Sequence, residues 1–306
     1  MARVLLNRAA QLAILLILIS TVLFFVLRLT GDPAVVLAGS DPTPDAVARI
    51  SAHYGLDRPL PAQYATFVGN VLTGDLGTSL ATGQPALDLV FARITPTLSL
   101  AATAITVDAV LAVVVGTWLG ARTGSIGRRV VSSGVFVAQA VPAYVVGLLL
   151  IQVFAVDLRW LPSIGAAGPG SWVLPSLTLA AFLAPQLIRI VATNVAEAMR
   201  EDYVRTALAT GAGGAALLVR HVLPNALLAT VAVIGTQFAY LISGALLTEV
   251  IFGWPGLGRL LVEAVTRLDF PVVQATVVVV AVGVFVVNTG LDLVFRMLDP
   301  RLRSAS

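Results

Sequence analysis

Residues Asn194 to Asn225 read NVAEAMREDYVRTALATGAGGAALLVRHVLPN, and long apolar runs flank them on both sides. The stretch carries Glu197, Arg200, Glu201, Asp202, Arg205, Arg220 and His221 before it ends in Leu223-Pro224-Asn225. A segment that only joined two membrane spans would need neither this length nor this charge. From Glu197 to Thr210, Met199, Tyr203, Val204, Ala207 and Leu208 recur toward one face at helical spacing, with Glu197, Arg200, Glu201 and Arg205 mostly elsewhere. Gly211, Gly213 and Gly214 interrupt that pattern. Ala215 to His221 can form a second short helix, and Pro224 falls near the start of the next span, where a missing N–H costs little. Asn194 and Glu197 have the spacing of a capping box, with a continuous extension of the preceding span as the competing reading. The expectation is an amphipathic helix–turn–helix whose apolar face is buried against the protein's own spans or against a partner.

The rest of the chain sets this loop in a bilayer. Of 306 residues, 58% are hydrophobic and 11% charged, against about 25% charged in soluble domains. Six apolar runs have the length of a membrane-crossing helix: Ala9–Leu29, Leu98–Gly120, Val130–Ala155, Val173–Ala192, Ala226–Thr248 and Val273–Phe295. They are continuous rather than alternating, which argues for an all-α polytopic membrane protein and against a β-barrel. The first run follows Arg3 and Arg8 but is longer than a signal-peptide core. No A-x-A-like site follows it, so it reads as an uncleaved span.

All 19 basic residues are arginine. Without lysine the chain cannot build a G-x-x-x-x-G-K-[ST] phosphate loop, so any ATP that drives it is bound by another subunit. Without cysteine it makes neither disulfides nor thiolate metal sites, and His53 and His221 are too few for a multi-histidine site. With the N-terminus inside, Arg3, Arg8, Arg122, Arg128, Arg129, Arg189, Arg200, Arg205, Arg220, Arg296, Arg301 and Arg303 fall on the inner side. Outside the long first outer loop, the outer side holds Arg159, Arg259 and Arg267. The positive-inside rule therefore puts both termini and the 194–225 loop in the cytoplasm. The net charge of +3 reflects this inner arginine rather than nucleic-acid binding.

Three domains are expected: an N-terminal transmembrane helix (1–30), a small extracytoplasmic subdomain (31–93), and a five-helix core (94–306) carrying the loop. Within 31–93, turn signals at Gly31-Asp32-Pro33, Asp41-Pro42-Thr43-Pro44 and Pro59-Leu60-Pro61 separate short helices at Ala46–His53 and Pro61–Leu72. Trp160, Trp172 and Trp254 fall near outer span ends and read as interfacial anchors. Pro142 and Pro185 lie inside spans and are expected to kink them.

Gly211 and Leu223-Pro224 have the spacing of the coupling loop of ABC importer permeases. Arg205-Thr206-Ala207 stands where the generic loop has E-A-A, and His221 where it has an aliphatic. Both departures resemble the dipeptide/oligopeptide/nickel branch, with its R-T-A-x-x-x-G and R-H-x-L-x-N-A. Further segments resemble that branch in order along the chain: Tyr54–Pro61, Gly74–Ser79, Phe252–Arg259, Asp269–Gln274 and Asp299-Pro300-Arg301. The long outer segment resembles the first of the two paired permeases.

The resemblance implies a type I ABC importer permease fold in a bacterial inner membrane. It also implies a heterodimer with a second homologous permease, two ATPase subunits at the cytoplasmic face and an extracytoplasmic substrate-binding protein. ATP and Mg would be held by the ATPases, with no cofactor on this chain. Glu197, Glu201, Tyr203, Arg205, Ala207, Gly211, Arg220, His221, Leu223 and Pro224 would form the ATPase-coupling loop. Di- and oligopeptides lead as cargo; nickel, glutathione and other small solutes are alternatives.

Asp108 stands near the middle of the second apolar run, where an ionisable group costs roughly 2.5–3.5 kcal/mol on insertion scales. It reads either as a substrate contact or as a hydrogen-bonding group between helices. Gln139, Gln152, Gln186, Gln237 and Asn288 are candidates for lining a path or for joining helices. Asp108, Gln139 and Gln237 are taken as the possible substrate pathway. The chain has no H-E-x-x-H and no G-x-S-G, so an intramembrane hydrolase is not supported. A stand-alone channel or secondary carrier fits the composition but gives no reason for the loop.

Overall fold

The computed structural model describes residues 2–39, 42–122, 124–166, 168 and 170–298. Asp41 and the terminal Asp299-Pro300-Arg301 lie outside the described residues, as do Arg301 and Arg303 of the charge argument. The described residues are helical throughout apart from turns and an isolated antiparallel bridge between Thr78 and Pro85. Among the described residues, four helices are long and apolar enough to cross a membrane unbroken, and two bent helix pairs bring the number to six if each pair is one span. The chain divides into two compact units.

Unit one comprises residues 1–97 and 255–289. Helix α1 (Ala2–Thr30) is followed by α2 (Pro33–Leu37), α3 (Pro44–Tyr54) and α4 (Leu60–Thr73). The caps follow from sequence. Asp32 accepts a hydrogen bond from the Ala34 N–H, and Thr43 accepts one from the Ala46 N–H, each with proline at the first helical position. Helix α3 stops at Gly55, whose φ of 65° suits glycine alone of the local residues. Thr21 Oγ1 and Tyr64 Oη, 2.7 Å apart, tie α1 to α4 beside the rings of Phe24, Phe25 and Phe67.

The start of α5 (Ala86–Ala121), α14 (Leu257–Thr266) and most of α15 (Phe270–Leu298) complete this unit around a core of Leu27, Val90, Leu257, Leu260, Phe270 and Val273. Asp269 organises it. Its buried carboxylate accepts hydrogen bonds from the Ser79 hydroxyl and from the Leu80 and Ala81 N–H groups. Two segments singled out in the sequence, Gly74–Ser79 and Asp269–Gln274, are thus one contact.

Unit two comprises residues 98–254 and 290–306. Its centre is α8 (Val173–Ala198), packed against α6 (Ile126–Ala138), α7 (Ala143–Leu150), α11 (Leu223–Ala226), α12 (Leu228–Gly244) and α13 (Leu246–Ile251). Gly116 and Gly120 of α5 form a G-x-x-x-G pair that lets the two backbones touch. A Cβ on Gly116 would stand 2.7 Å from Val191 Cβ, and one on Gly120 would stand 2.5 Å from the Ala192 carbonyl oxygen. Thr103 and Ser176 hydroxyls, 2.8 Å apart, join the same helices further along.

Three expectations change here. The apolar run Val130–Ala155 is not one continuous helix. It breaks at Gln139–Pro142, and its halves, α6 and α7 with a π-helical continuation to Asp157, meet at 103°. Pro142 caps the second half instead of kinking a single helix, because its ring forbids the hydrogen bond that would bridge the break. Helix α8, by contrast, runs through Pro185 from Val173 to Ala198. Trp254 is only 7% exposed and packs with Leu100, Ala101, Leu179 and Leu241, so it is a core residue rather than an interfacial anchor; Trp160 and Trp172 are exposed.

Candidate functional site

The 194–225 loop is a compact extension of the unit-two core. Asn194 and Glu197 form no capping box, since α8 continues through them to Ala198. The Asn194 amide instead donates to the Ala226 carbonyl at 3.0 Å, pinning one end of the loop to the other. Helix α9 (Asp202–Ala209) follows, then Gly211 at φ 91°, then α10 (Gly214–Leu217), a π-helical turn at Leu218–Val222, and α11 with Pro224 in its first turn. Gly211 marks the reversal: the Ala212 N–H reaches back to the Ala207 carbonyl at 2.9 Å.

The loop has two faces. Val204, Ala207, Leu217 and Val222 are buried among Leu187, Val191 and Val195 of α8, with Met199 and Leu223 packed at the edge. Tyr203 and Leu208, expected on that same buried face, are exposed instead, because α9 is short and only positions 204 and 207 point at α8. Glu197, Glu201, Arg205, Gly211, Arg220 and Pro224 are also exposed, and His221 is half-buried. Arg205 pairs with Asp202 at 3.2 Å on the surface, which contributes little stability and leaves both groups available to a partner. The exposed residues of the loop thus include the guanidinium groups of Arg200, Arg205 and Arg220 together with Tyr203, Leu208 (50% exposed) and Val219 (61% exposed).

The residues expected on a substrate path separate. Asp108 is fully buried in unit two, and neither carboxylate oxygen has a hydrogen-bond partner among the described residues. Gln237 is buried too; its Nε2 donates to the Leu183 carbonyl at 3.4 Å and its Oε1 is unpartnered. Gln139 is exposed. It stands at the break between α6 and α7, where a concavity of ≈ 620 Å³ is lined by Gln139, Gln186, Arg189, Ile190, Thr193 and Asn194. Arg189 had entered the sequence argument only through its side of the membrane, and Thr193 not at all. Their helical phase with Gln186 and Glu197 was the signal that would have grouped them.

This arrangement, a helical membrane core that holds one face of a charged loop and offers the other, has counterparts among known proteins. Residues 112–304 match the model of the family described as "Binding-protein-dependent transport system inner membrane component", and residues 1–102 match that of the corresponding N-terminal family. The chain belongs to this family.

Over 293 residues the permease is 36% identical to the "Glutathione transport system permease protein GsiC" of Pectobacterium atrosepticum, covering 94% of each chain. Over 308 residues it is 37% identical to the "Probable peptide ABC transporter permease protein y4tP" of Sinorhizobium fredii, covering 97% of this chain and 98% of that one. Among solved structures, an amino acid ABC transporter crystallised with histidines matches 69% of this chain and 94% of its own with a TM-score of 0.51; at 19% identity this supports the fold alone. The permease is thus a multi-pass transport subunit of an ABC importer of the peptide/oligopeptide type, with the type I permease fold. It is not itself an enzyme, and ATP is hydrolysed by a separate subunit. An ATPase and a substrate-binding protein are the partners the family implies, and the bacterial inner membrane is its setting.

Proposed function

We propose that this permease is one half of a heterodimeric pore that imports di- or oligopeptides, with Asn194–Asn225 as the lever through which two cytoplasmic ATPases drive it. The observation that carries the reading is the two-faced loop. Val204, Ala207, Leu217 and Val222 bind it to α8, so a force on the outward face moves the span rather than the loop alone. Tyr203, Arg205, Leu208, Val219 and Arg220 are the surface that would sit in an ATPase cleft. ATP binding closes the ATPases, draws the two levers together and opens the pore to a loaded binding protein; hydrolysis resets it. In this reading both termini are cytoplasmic, residues 31–93 form the extracytoplasmic subdomain, and residues 94–306 form the core. ATP and Mg are bound by the ATPases.

Peptide cargo is supported by the relatives' names, one a glutathione and one a peptide permease. Glutathione, itself a tripeptide, is the second reading that the first of these favours. Of the three residues expected on the path, the exposure of Gln139 supports that role, while the burial of Asp108 and Gln237 supports a place inside the bundle.

Gly211→Pro tests the lever. The site needs φ near 91°, and proline is held at about −65°. In proteoliposomes of the whole importer, the variant is expected to insert and to assemble with its ATPases while peptide uptake falls to background. Uptake within twofold of wild type would remove the lever assignment.

A further inference from the structure

Helix α8 presents an exposed stripe, Phe182, Gln186, Arg189, Thr193 and Glu197, at intervals of three and four residues, and exposed Arg200 follows just past its end. The rest of its circumference is covered by the chain's own helices. Gln186 lies at the midpoint of this 26-residue helix, about 20 Å from either end at 1.5 Å per residue. An amide at that depth facing hydrocarbon would lose its hydrogen bonds with nothing in return.

A second observation comes from the other side of the same concavity. The chain breaks at Gln139–Pro142 beside Gln186 and Arg189. Irregular backbone at membrane depth is tolerated where it is packed in protein or lines a water-filled cavity, and exposed Gln139 stands on the open side of this break. Arg189 forms no hydrogen bond or ion pair among the described residues. In an adjoining concavity Arg128, Arg189 and Arg200 face one acid, Glu197. Toward the opposite end of the stripe the ring of Phe182 stacks on Tyr240 at 6.0 Å, beside Tyr144 in an apolar hollow.

We propose that this stripe of α8, with Gln139 opposite, is the wall of the solute path, and that Arg189 is a specificity residue that takes a carboxylate of the passing solute. The sequence of surfaces along the wall is aromatic, then amide, then guanidinium. It suits a molecule with an apolar portion and a carboxylate. A guanidinium offers a planar fork that matches a carboxylate at two points, and its cationic setting rejects a bare metal cation. The wall assignment stands without the peptide reading; the carboxylate assignment rests on it and narrows it to peptides with an acidic side chain.

The absence of native cysteine makes the test direct. Single cysteines replace Gln186, Thr193, Ile17 on exposed α1, or Val191 in the core, each in the assembled importer. Each is then treated with the membrane-impermeant reagent methanethiosulfonate ethylsulfonate and read by gel shift of this chain. Labelling at 186 and 193 but not at 17 or 191 is expected. Failure to label both 186 and 193 would mean that the face is covered by lipid or by the second permease, and the wall would be lost.

Uptake of Ala-Glu and Ala-Lys is then compared in Arg189→Glu, Arg189→Lys and wild type with one binding protein. The binding protein contributes the same factor to each, so any change in the Glu/Lys ratio belongs to the permease. Arg189→Glu is expected to lower that ratio about tenfold, with Arg189→Lys retaining most of it. An unchanged ratio overturns the role of Arg189. If wild type moves neither dipeptide, the peptide reading fails instead, and the labelling result still decides the wall.

Discussion

Helices α1 and α8 are both apolar enough to cross a bilayer, yet they expose opposite chemistries. Only 17% of the best apolar window of α1 is buried by its own chain, and from Ile14 to Val26 its exposed large residues are Ile14, Ile17, Leu18, Val22, Phe25 and Val26. In α8 61% of the window is buried, and the exposed residues of the helix are Phe182, Gln186, Arg189, Thr193 and Glu197. Lipid is a poor solvent for amides and a good one for isoleucine, so the first helix is built to touch lipid and the second to avoid it. Hydropathy averaged over a span is higher for α1 than for α8 but does not say which residues stand uncovered. The difference lies in which residues occupy the uncovered arc, and that depends on what the rest of the fold covers.

The largest effect is expected where the cover of α8 is made. Gly116 and Gly120 let α5 lie directly on it, and a side chain at Gly120 would collide with the Ala192 carbonyl and with Val195. Backbone cannot yield as a flexible side chain can. Gly120→Leu should therefore part the helices at a cost of about 1–3 kcal/mol or more, and should open to solvent the face that α8 now buries. Detergent-extracted permease is expected to lose its monodisperse peak on size exclusion, or to melt at least several degrees earlier. A variant with wild-type yield and melting would show that the close approach is not needed.

A reciprocal exchange probes the comparison itself. Gln186→Leu makes the α8 stripe resemble α1, and Ile17→Gln does the reverse. If the two faces meet different solvents, Ile17→Gln lowers stability by roughly 1–2 kcal/mol while leaving uptake nearly intact. Gln186→Leu should leave the melt close to wild type and reduce uptake several-fold. Paired thermal melts and uptake assays separate these patterns. Matching responses at the two sites would mean that both face lipid, and would remove the distinction between the two helices.

Much of this was legible in the sequence, and the parts that were not share a physical cause. The apolar runs, the turn signals around Asp32 and Thr43, and the glycine break at Gly211 are properties of neighbouring residues along the chain. Pro142 marks the place of the 103° break, but its size was not legible, because a hydropathy window reports length and not direction. Trp254 looked interfacial until Leu100 and Leu179, distant in sequence, closed over it. Tyr203 and Leu208 were assigned to the wrong side of α9 because a period of 3.6 shows which residues share a face, not where the wall stands. Arg189 was read for its side of the membrane when its phase on α8 was the informative property.

The smallest effect is expected at the residue that looked most exceptional in the sequence. Asp108 falls on α5 one turn from Ala104 and one turn from Ala112, which belong to two separate buried clusters of unit two. Its carboxyl group has no hydrogen-bond partner among the described residues and is closed off from the concavity lined by Gln139, Gln186 and Arg189. A group so placed can influence transport only through packing, unless the pore opens to it at another stage of the cycle. Asp108→Asn keeps the volume and removes the option of charge, so the cost of burying an ionisable group disappears. The expected outcome is uptake within about twofold of wild type and a melt unchanged or raised by ~1 kcal/mol of added stability. Loss of uptake with an intact fold would place Asp108 on the path during turnover. The polar surface met by the solute would then extend from the uncovered arc of α8 into the interior that this structure shows closed.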